Sequence, residues 1–188
     1  MGSGVNLLPH FMNGNKSMMV DIETLSVEPN AHILSIGCST MGDNPSTFYR
    51  VLGIDGQGRD VNDDTIEWWV GPRVTQAARD EVLIETKASL KAALVDLHVF
   101  YKECKANEIW SHGSVFDVII LEDAYKHFKL EPPWNFLNIR DTRTLINLSK
   151  KLRNGKDFEP DRVGTYHSAM EDAKFQAKWM NNIMRELR

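Results

Sequence analysis

The order of the predicted strands and helices is the feature that most constrains the fold. Three short apolar segments joined by short connections come first, and they predict an antiparallel meander over residues 17–22, 31–40 and 47–54. Helices and strands then alternate. The later strands are expected at 108–111 and 135–140, and the helices at 64–70, 74–84, 87–105, 115–128, 142–152 and 168–187. This order predicts an α/β fold with a mixed five-stranded sheet, three antiparallel strands and then two parallel ones, flanked by helices.

Length and composition favour one globular domain. The chain has 188 residues, of which 42% are hydrophobic and 26% are charged. Residues 1–16 show no periodicity and are interpreted as a disordered leader or tag remnant, so the domain is expected over 17–188. No apolar run approaches the ~18 residues of a membrane span, and no secretory signal is visible. We therefore expect no membrane partner. Because Cys38 and Cys104 stand alone, we expect a reduced, cytoplasmic protein with two buried thiols.

Charge is unevenly distributed along the chain. The net charge of −4 argues against a generic basic coat for nucleic acid, but basic residues gather between positions 140 and 156. They are Arg140, Arg143, Lys150, Lys151, Arg153 and Lys156. Such a stretch could follow a phosphate backbone, and a solvated helix face with its loop explains it equally well.

Two acidic residues stand two positions apart in the first predicted strand. Since successive side chains of a strand point to opposite faces, Asp21 and Glu23 project from the same face. Hard divalent cations such as Mg²⁺ take oxygen ligands, and paired carboxylates at this spacing suit them. For this pair alone, a strand end whose acids meet solvent is the alternative.

Three further residues stand where strands and helices meet. Asp117 follows a predicted strand and begins a helix, while His167 and Asp172 straddle the start of the last helix. Taken singly, each could be a helix-start acid or a cap. Four carboxylates that converge in a fold repel one another unless cations lie among them. A histidine beside them supplies a base that titrates near neutral pH, so the set predicts two-metal phosphodiester hydrolysis.

These motifs resemble those of the DEDDh (DnaQ-like) 3′→5′ exonucleases, which have a ribonuclease H-like fold. The first motif matches at Asp21 and Glu23, the second at Asp117 and the third at His167 and Asp172. The sister class carries a tyrosine one position after this histidine, where the present chain has a serine. The match therefore favours the histidine class.

Other segments are similar to the phage DexA-type exonucleases and their ribonuclease relatives. These segments are Trp68-Trp69, residues 140–145 and residues 172–176. One departure is Gly71-Pro72, because such relatives often carry a glutamine after the paired tryptophans. The departure bears on substrate preference rather than on the chemistry. The biological role stays open between phage nucleotide recycling, DNA processing and RNA turnover.

The resemblance implies hydrolysis of a single-stranded DNA or RNA 3′ end to nucleoside 5′-monophosphates. It implies two Mg²⁺ ions, for which Mn²⁺ can substitute, with His167 as general base. The implied metal ligands are Asp21, Glu23, Asp117 and Asp172. Relatives of this kind are often dimers, so a homodimer is an expectation. The alternatives are a catalytically silent nucleic-acid- or partner-binding module and a metal-dependent endonuclease or other phosphodiesterase on the same fold. The complete acidic set weighs against the silent module, and product size would identify an endonuclease.

Aromatic and basic residues supply the candidates for substrate binding. An exonuclease must hold the terminal nucleotide unstacked, and Trp68, Trp69 and Phe116 could stack on its base. Arg140 and Arg143 are the candidates for phosphate contacts. The two adjacent tryptophans point about 100° apart on a helix, so one of them is expected to be buried. The remaining tryptophans, Trp110, Trp134 and Trp179, are assigned to the core.

Overall fold

The computed structural model describes residues 16–83 and 88–187. Its sheet has five strands in the order β3-β2-β1-β4-β5. They are β1 (Lys16–Thr24), β2 (Ile33–Thr40), β3 (Thr47–Val51), β4 (Ala106–Ser111) and β5 (Ile139–Asp141). β2 pairs antiparallel with β1 and β3, whereas β4 pairs parallel with β1 and β5. The predicted mixed sheet is therefore confirmed.

Six helices flank this sheet in the described part of the chain. They are α1 (Asp63–Val70), α2 (Gln76–Val82), α3 (Leu90–Glu103), α4 (Asp117–His127), α5 (Thr142–Leu152) and α6 (Ala169–Glu186). Most of these helices have a side-chain cap at the N-terminus, where a polar side chain accepts a hydrogen bond from a free backbone N–H of the first turn. Asn62, Thr75, Ser89, Asp141 and Ser168 cap α1, α2, α3, α5 and α6 respectively.

One predicted strand is wrong over most of its length. Residues 135–140 were expected to be extended, but Phe136–Asn138 form a 3₁₀ turn and the strand is confined to Ile139–Asp141. The cause is local, since the Asn135 side chain accepts the Leu137 N–H at 2.9 Å and caps the turn.

Two expectations reach beyond the described ranges. Of the expected leader, the structure describes Lys16, where β1 begins; residues 1–15 lie outside the described part, as do positions 84 and 87 at two predicted helix ends. Within the described ranges, no helix combines the length and the apolar character that crossing a bilayer requires.

The central strand β1 is buried on both faces. Met18, Val20 and Ile22 pack with α3 and α4 in one apolar cluster, whereas Met19 packs with α5 and α6 in another. Both clusters include expected core tryptophans, and Trp110, Trp134 and Trp179 are all buried. The two cysteines are also buried and free, as expected. Asp21 and Glu23 lie on the same face of β1 as Met19. The apolar contact between β1 and α6 is therefore followed along the strand by two carboxylates.

Gly37 sets how closely α6 approaches the sheet. A Cβ atom at this position of β2 would lie 2.2 Å from the backbone of Ala169, so no side chain fits between β2 and the first turn of α6. Because Gly37 pairs with Asp21 of β1, this contact brings the start of α6 beside the two strand acids.

Candidate active site

Three elements bring the predicted acidic residues together at one end of the sheet. Asp21 and Glu23 come from β1, Asp117 from the first turn of α4 and Asp172 from the first turn of α6. The Ile22 N–H donates a hydrogen bond of 3.2 Å to Oδ1 of Asp117, which ties α4 to β1 between the two strand acids.

His167 lies at the entrance of α6, in a left-handed backbone conformation with φ of +63°. That conformation is uncommon for a residue with a side chain, and it is held here because the His167 N–H donates to Oδ2 of Asp172 at 2.9 Å. Three potential metal-ligand atoms lie within 4.8 Å of one another, one each from Glu23, His167 and Asp172. The structure thus gathers the four predicted acids and the histidine into one acidic cluster.

The electrostatics of the acidic cluster disfavour its full ionisation. Burial, followed by repulsion from Asp117, Glu23 and Asp172, raises the pKa of Asp21 well above its usual range. Burial and then repulsion from Asp172 and Asp117 do the same for the pKa of Glu23. Burial also raises the pKa of Asp117 to about 7, against the opposing effects of its hydrogen bonds and the Arg143 charge. The acidic cluster therefore needs compensating positive charge at neutral pH.

The donor set fits hard divalent cations. Carboxylate oxygens from Asp21, Glu23, Asp117 and Asp172 are the ligands that Mg²⁺ and Mn²⁺ prefer. Nε2 of Gln176 donates to Oδ1 of Asp21 at 2.7 Å and orients that carboxylate. Oε1 of Gln176 is buried and has no hydrogen-bond partner among the described residues, so it can accept a hydrogen bond from a water on a bound ion.

A pocket of about 490 Å³ opens beside Glu23. Trp68, Trp69 and Phe116 form much of its apolar lining, and Asn62 and Thr65 add polar groups. Trp68 and Phe116 are half-buried, so their rings are accessible from the pocket. The wall of this pocket is also in contact with His167, because the Trp68 ring meets the imidazole edge-on at a centroid distance of 4.8 Å.

Trp69 is the buried member of the tryptophan pair. Only 5% of its surface is exposed, and its Nε1–H donates to the Thr24 carbonyl at 2.8 Å. The expectation that one of the two tryptophans is buried is confirmed. Trp69 anchors α1 to the end of β1, which leaves Trp68 and Phe116 as the better candidates for base contacts.

The two candidate phosphate-binding arginines lie in different surroundings. A Cβ atom at Gly113 would lie 3.0 Å from Nη1 of Arg143, which brings this guanidinium to the turn between β4 and Asp117. Arg140 instead pairs with Glu108 at 3.1 Å and donates to the carbonyls of Leu137 and Ile139. The structure therefore does not bring Arg140 into the acidic cluster.

The rest of the basic stretch is largely engaged within the protein. Lys150 pairs with Asp157 at 2.5 Å, Lys156 pairs with Glu186 at 3.8 Å, and Arg153 binds the Glu186 carbonyl. These contacts favour the interpretation of a solvated helix face and loop over a continuous phosphate track.

Three residues near the acidic cluster were given no role by the sequence analysis, although it included one of them, Gln176, in the similar segment 172–176. Gln176 lies four residues after Asp172, so helical spacing could have placed it on the same face. Glu81 of α2 accepts the Ser168 hydroxyl at 2.6 Å, next to His167, and Arg162 pairs with Oδ1 of Asp172 at 2.6 Å. No motif surrounds Glu81 or Arg162, and only the tertiary structure reveals them.

Known structures share this fold at low sequence identity. An exonuclease I structure aligns with a TM-score of 0.62 and 13% identity, covering 92% of this chain and 43% of that one. Cell-death related nuclease 4 (CRN-4) aligns with a TM-score of 0.63 and 12% identity, covering 92% and 64% respectively. Exonuclease I of E. coli in complex with a dT13 oligonucleotide aligns with a TM-score of 0.53 and 16% identity, covering 92% of this chain and 40% of that one. The chain thus spans less than two thirds of these structures, and the likeness confirms the ribonuclease H-like fold.

Sequence comparison gives the family. No curated protein matches the chain. The family model described as 3'-5' exoribonuclease Rv2179c-like domain matches residues 16–184, which is nearly the whole chain. The acidic cluster of β1, α4 and α6 lies within that match. The chain therefore belongs to the Rv2179c-like 3'-5' exoribonuclease domain family, which confirms the predicted membership among 3′→5′ exonucleases.

Proposed function

We propose that this protein is a metal-dependent 3′→5′ exonuclease of the histidine (DEDDh) class. In this proposal it hydrolyses single-stranded DNA or RNA to nucleoside 5′-monophosphates, and residues 17–188 form the catalytic domain. The observation that carries the proposal is the convergence of four carboxylates from three elements with His167 beside them. Cytoplasmic location and a homodimer stay predictions of the sequence.

Two Mg²⁺ ions, or Mn²⁺ in their place, are the proposed cofactors. The residues that would hold them are Asp21, Glu23, Asp117 and Asp172. The raised pKa values of the first three are typical of carboxylates that bind cations. When bound, such ions supply Lewis acidity that activates water and stabilises the charge on the leaving oxygen.

His167 is the proposed general base. Its imidazole would accept the proton of the attacking water, a contribution on the order of 10²–10⁴-fold in rate. Two contacts hold it for this role, the hydrogen bond from its backbone to Asp172 and the T-shaped contact between the imidazole and the Trp68 ring. The hydrogen bond from Gln176 would keep Asp21 in one orientation during the reaction.

The pocket beside Glu23 is the proposed site of the 3′-terminal nucleotide. Trp68 and Phe116 would stack on its base, with about 1–3 kcal/mol per stacked base. Arg143, whose guanidinium lies at the turn before Asp117, would meet a phosphate. The description of the family as exoribonucleases supports RNA, while the E. coli exonuclease I complex contains a dT13 oligonucleotide.

Digestion of 5′-labelled single-stranded RNA and DNA of equal sequence tests the proposal. With Mg²⁺ or Mn²⁺ we expect a ladder that shortens from the 3′ end, and with EDTA no cleavage. Asp21→Ala and Asp172→Ala should abolish cleavage while the circular dichroism spectrum stays that of the wild type. Asp96→Asn is the matched control, since Asp96 lies in an exposed ion pair with Arg50 and should be dispensable.

The products distinguish the proposal from its alternatives. Internal fragments would indicate an endonuclease. Binding of the oligonucleotide without cleavage, in the presence of a bound cation, would indicate the silent binding module. Full activity of either alanine variant would refute the assigned ligand set.

A further inference from the structure

Arg162 occupies one oxygen of a proposed metal ligand. Its Nη1 lies 2.6 Å from Oδ1 of Asp172, and the two side chains are only 12% and 17% exposed. The other oxygen of this carboxylate, Oδ2, accepts the His167 N–H. Both oxygens of Asp172 are thus engaged by the protein itself.

The guanidinium is held by more than this ion pair. It stacks on the rings of Tyr166 and Phe175 at 4.4 and 4.8 Å, and Nη2 donates to the Thr165 carbonyl at 2.9 Å. Its Nε–H, however, is buried and finds no acceptor within residues 16–83 and 88–187. An unmet buried donor is unfavourable, so the docked position of Arg162 is not fully satisfied.

A divalent cation on Asp172 conflicts with this arrangement. Mg²⁺ requires a carboxylate oxygen at about 2.0–2.1 Å, which would place its two positive charges close to the guanidinium. The cation and the guanidinium would contact the same carboxylate, and two positive charges this close in a poorly hydrated site repel each other strongly. The connection that carries Arg162, residues 153–168, contains neither helix nor strand, and the two aromatic rings offer the guanidinium a contact that does not depend on Asp172.

We propose that Arg162 is an internal counter-ion of Asp172 that competes with the divalent cation, so that cation binding at Asp172 displaces the guanidinium. The inference rests on the proposed function, because it takes Asp172 as a metal ligand. In the absence of the cation Arg162 neutralises part of the acidic cluster, and with the cation bound it is released toward solvent.

Cation binding to a glutamine variant tests the competition directly. Calorimetric titration with Mn²⁺ alone, without substrate, should show that Arg162→Gln binds the ion about tenfold more tightly than the wild type. An ion pair that merely holds the connection in place would leave the affinity unchanged or lower it. Arg50→Gln is the matched control, since it removes an arginine–aspartate pair outside the acidic cluster and should bind Mn²⁺ like the wild type.

The wild-type protein gives a second readout that does not depend on a variant that folds. An arginine-selective dicarbonyl reagent, read out by peptide mass spectrometry, should modify Arg162 several-fold faster in saturating Mn²⁺ than in EDTA. Arg50, which is exposed, and Arg59, whose side chain is 2% exposed, are internal references whose rates should not change.

The outcomes separate this inference from the proposed function. If wild type and Arg162→Gln bind Mn²⁺ equally, or if Arg162 reacts no faster with the ion bound, the competition is refuted and the metal-dependent activity stands. If neither protein binds Mn²⁺, the proposed metal site fails and the inference falls with it. Tighter binding together with faster modification supports the competition.

Discussion

Replacing Asp117 by asparagine should stabilise the protein when no divalent cation is present. Burial raises the pKa of this carboxyl to about 7, whereas an unfolded aspartate has a pKa of about 3.9. The native state therefore keeps a proton that the unfolded chain releases above about pH 4. The free energy of unfolding consequently falls as the pH rises from about 4 to about 7. The asparagine variant has no charge to bury and escapes this penalty.

The size of the effect follows from the same difference. One pKa unit corresponds to about 1.4 kcal/mol, so ionising Asp117 at pH 8 disfavours the folded state by up to about 4 kcal/mol. The bond from the Ile22 N–H survives in the variant but is weaker to an amide than to a carboxylate, which offsets about 1 kcal/mol. We expect a net stabilisation of about 1–3 kcal/mol, or roughly 2–10 °C in Tm for a chain of this size.

Thermal unfolding in EDTA at pH 5 and pH 8 measures this effect. The advantage of Asp117→Asn should be large at pH 8 and shrink at pH 5, where the wild-type carboxyl is protonated. Asp123→Asn is the matched control on the same helix; it removes the carboxylate partner of the buried Arg59 and should destabilise at both pH values. A variant that is less stable than the wild type at pH 8, or equally stabilised at both, would refute the reasoning.

Further predictions concern the cation, the base and the pocket. In EDTA the wild-type Tm should fall between pH 5 and 8, because the raised carboxyl pKa values favour protonated acids in the fold, and saturating Mg²⁺ should flatten this slope; an unchanged slope would contradict the electrostatics. His167→Asn should lower kcat by about 10²–10⁴-fold with Mn²⁺ affinity within about tenfold of wild type in calorimetry; an unaffected kcat would exclude it as the base. Trp68→Ala should raise KM for a single-stranded substrate by about 5- to 150-fold and also lower kcat, and a wild-type KM would remove the stacking role. Gln176→Leu should lower kcat by about 10–100-fold, since Asp21 loses its orienting hydrogen bond, whereas wild-type kinetics would show that this bond is dispensable.

The local patterns of the sequence were sufficient for the elements and for the chemical class. Helical periodicity predicted most helices, and short apolar segments predicted most strands, because burial of apolar side chains shapes both kinds of element. The spacing of Asp21 and Glu23 already placed both on one face of β1, and the position of Asp117 after a strand placed it at a helix start. The predicted strand at 135–140 was wrong over most of its length because the Asn135 side chain caps a 3₁₀ turn there.

Contacts between residues far apart in the chain were beyond the reach of those patterns. Gly37 admits the backbone of Ala169 and so sets the position of α6, while Arg162 reaches Asp172 from a connection without regular structure. Neighbouring residues of the same type also differ in their surroundings. Trp69 anchors α1 whereas Trp68 lines the pocket. Arg140 pairs with Glu108, whereas Arg143 reaches the turn before Asp117. Sequence alone determined which groups are proposed to carry the chemistry, because periodicity and residue type are local properties. Only the tertiary structure decided which groups meet and which charges are buried together, because both depend on the packing of distant segments.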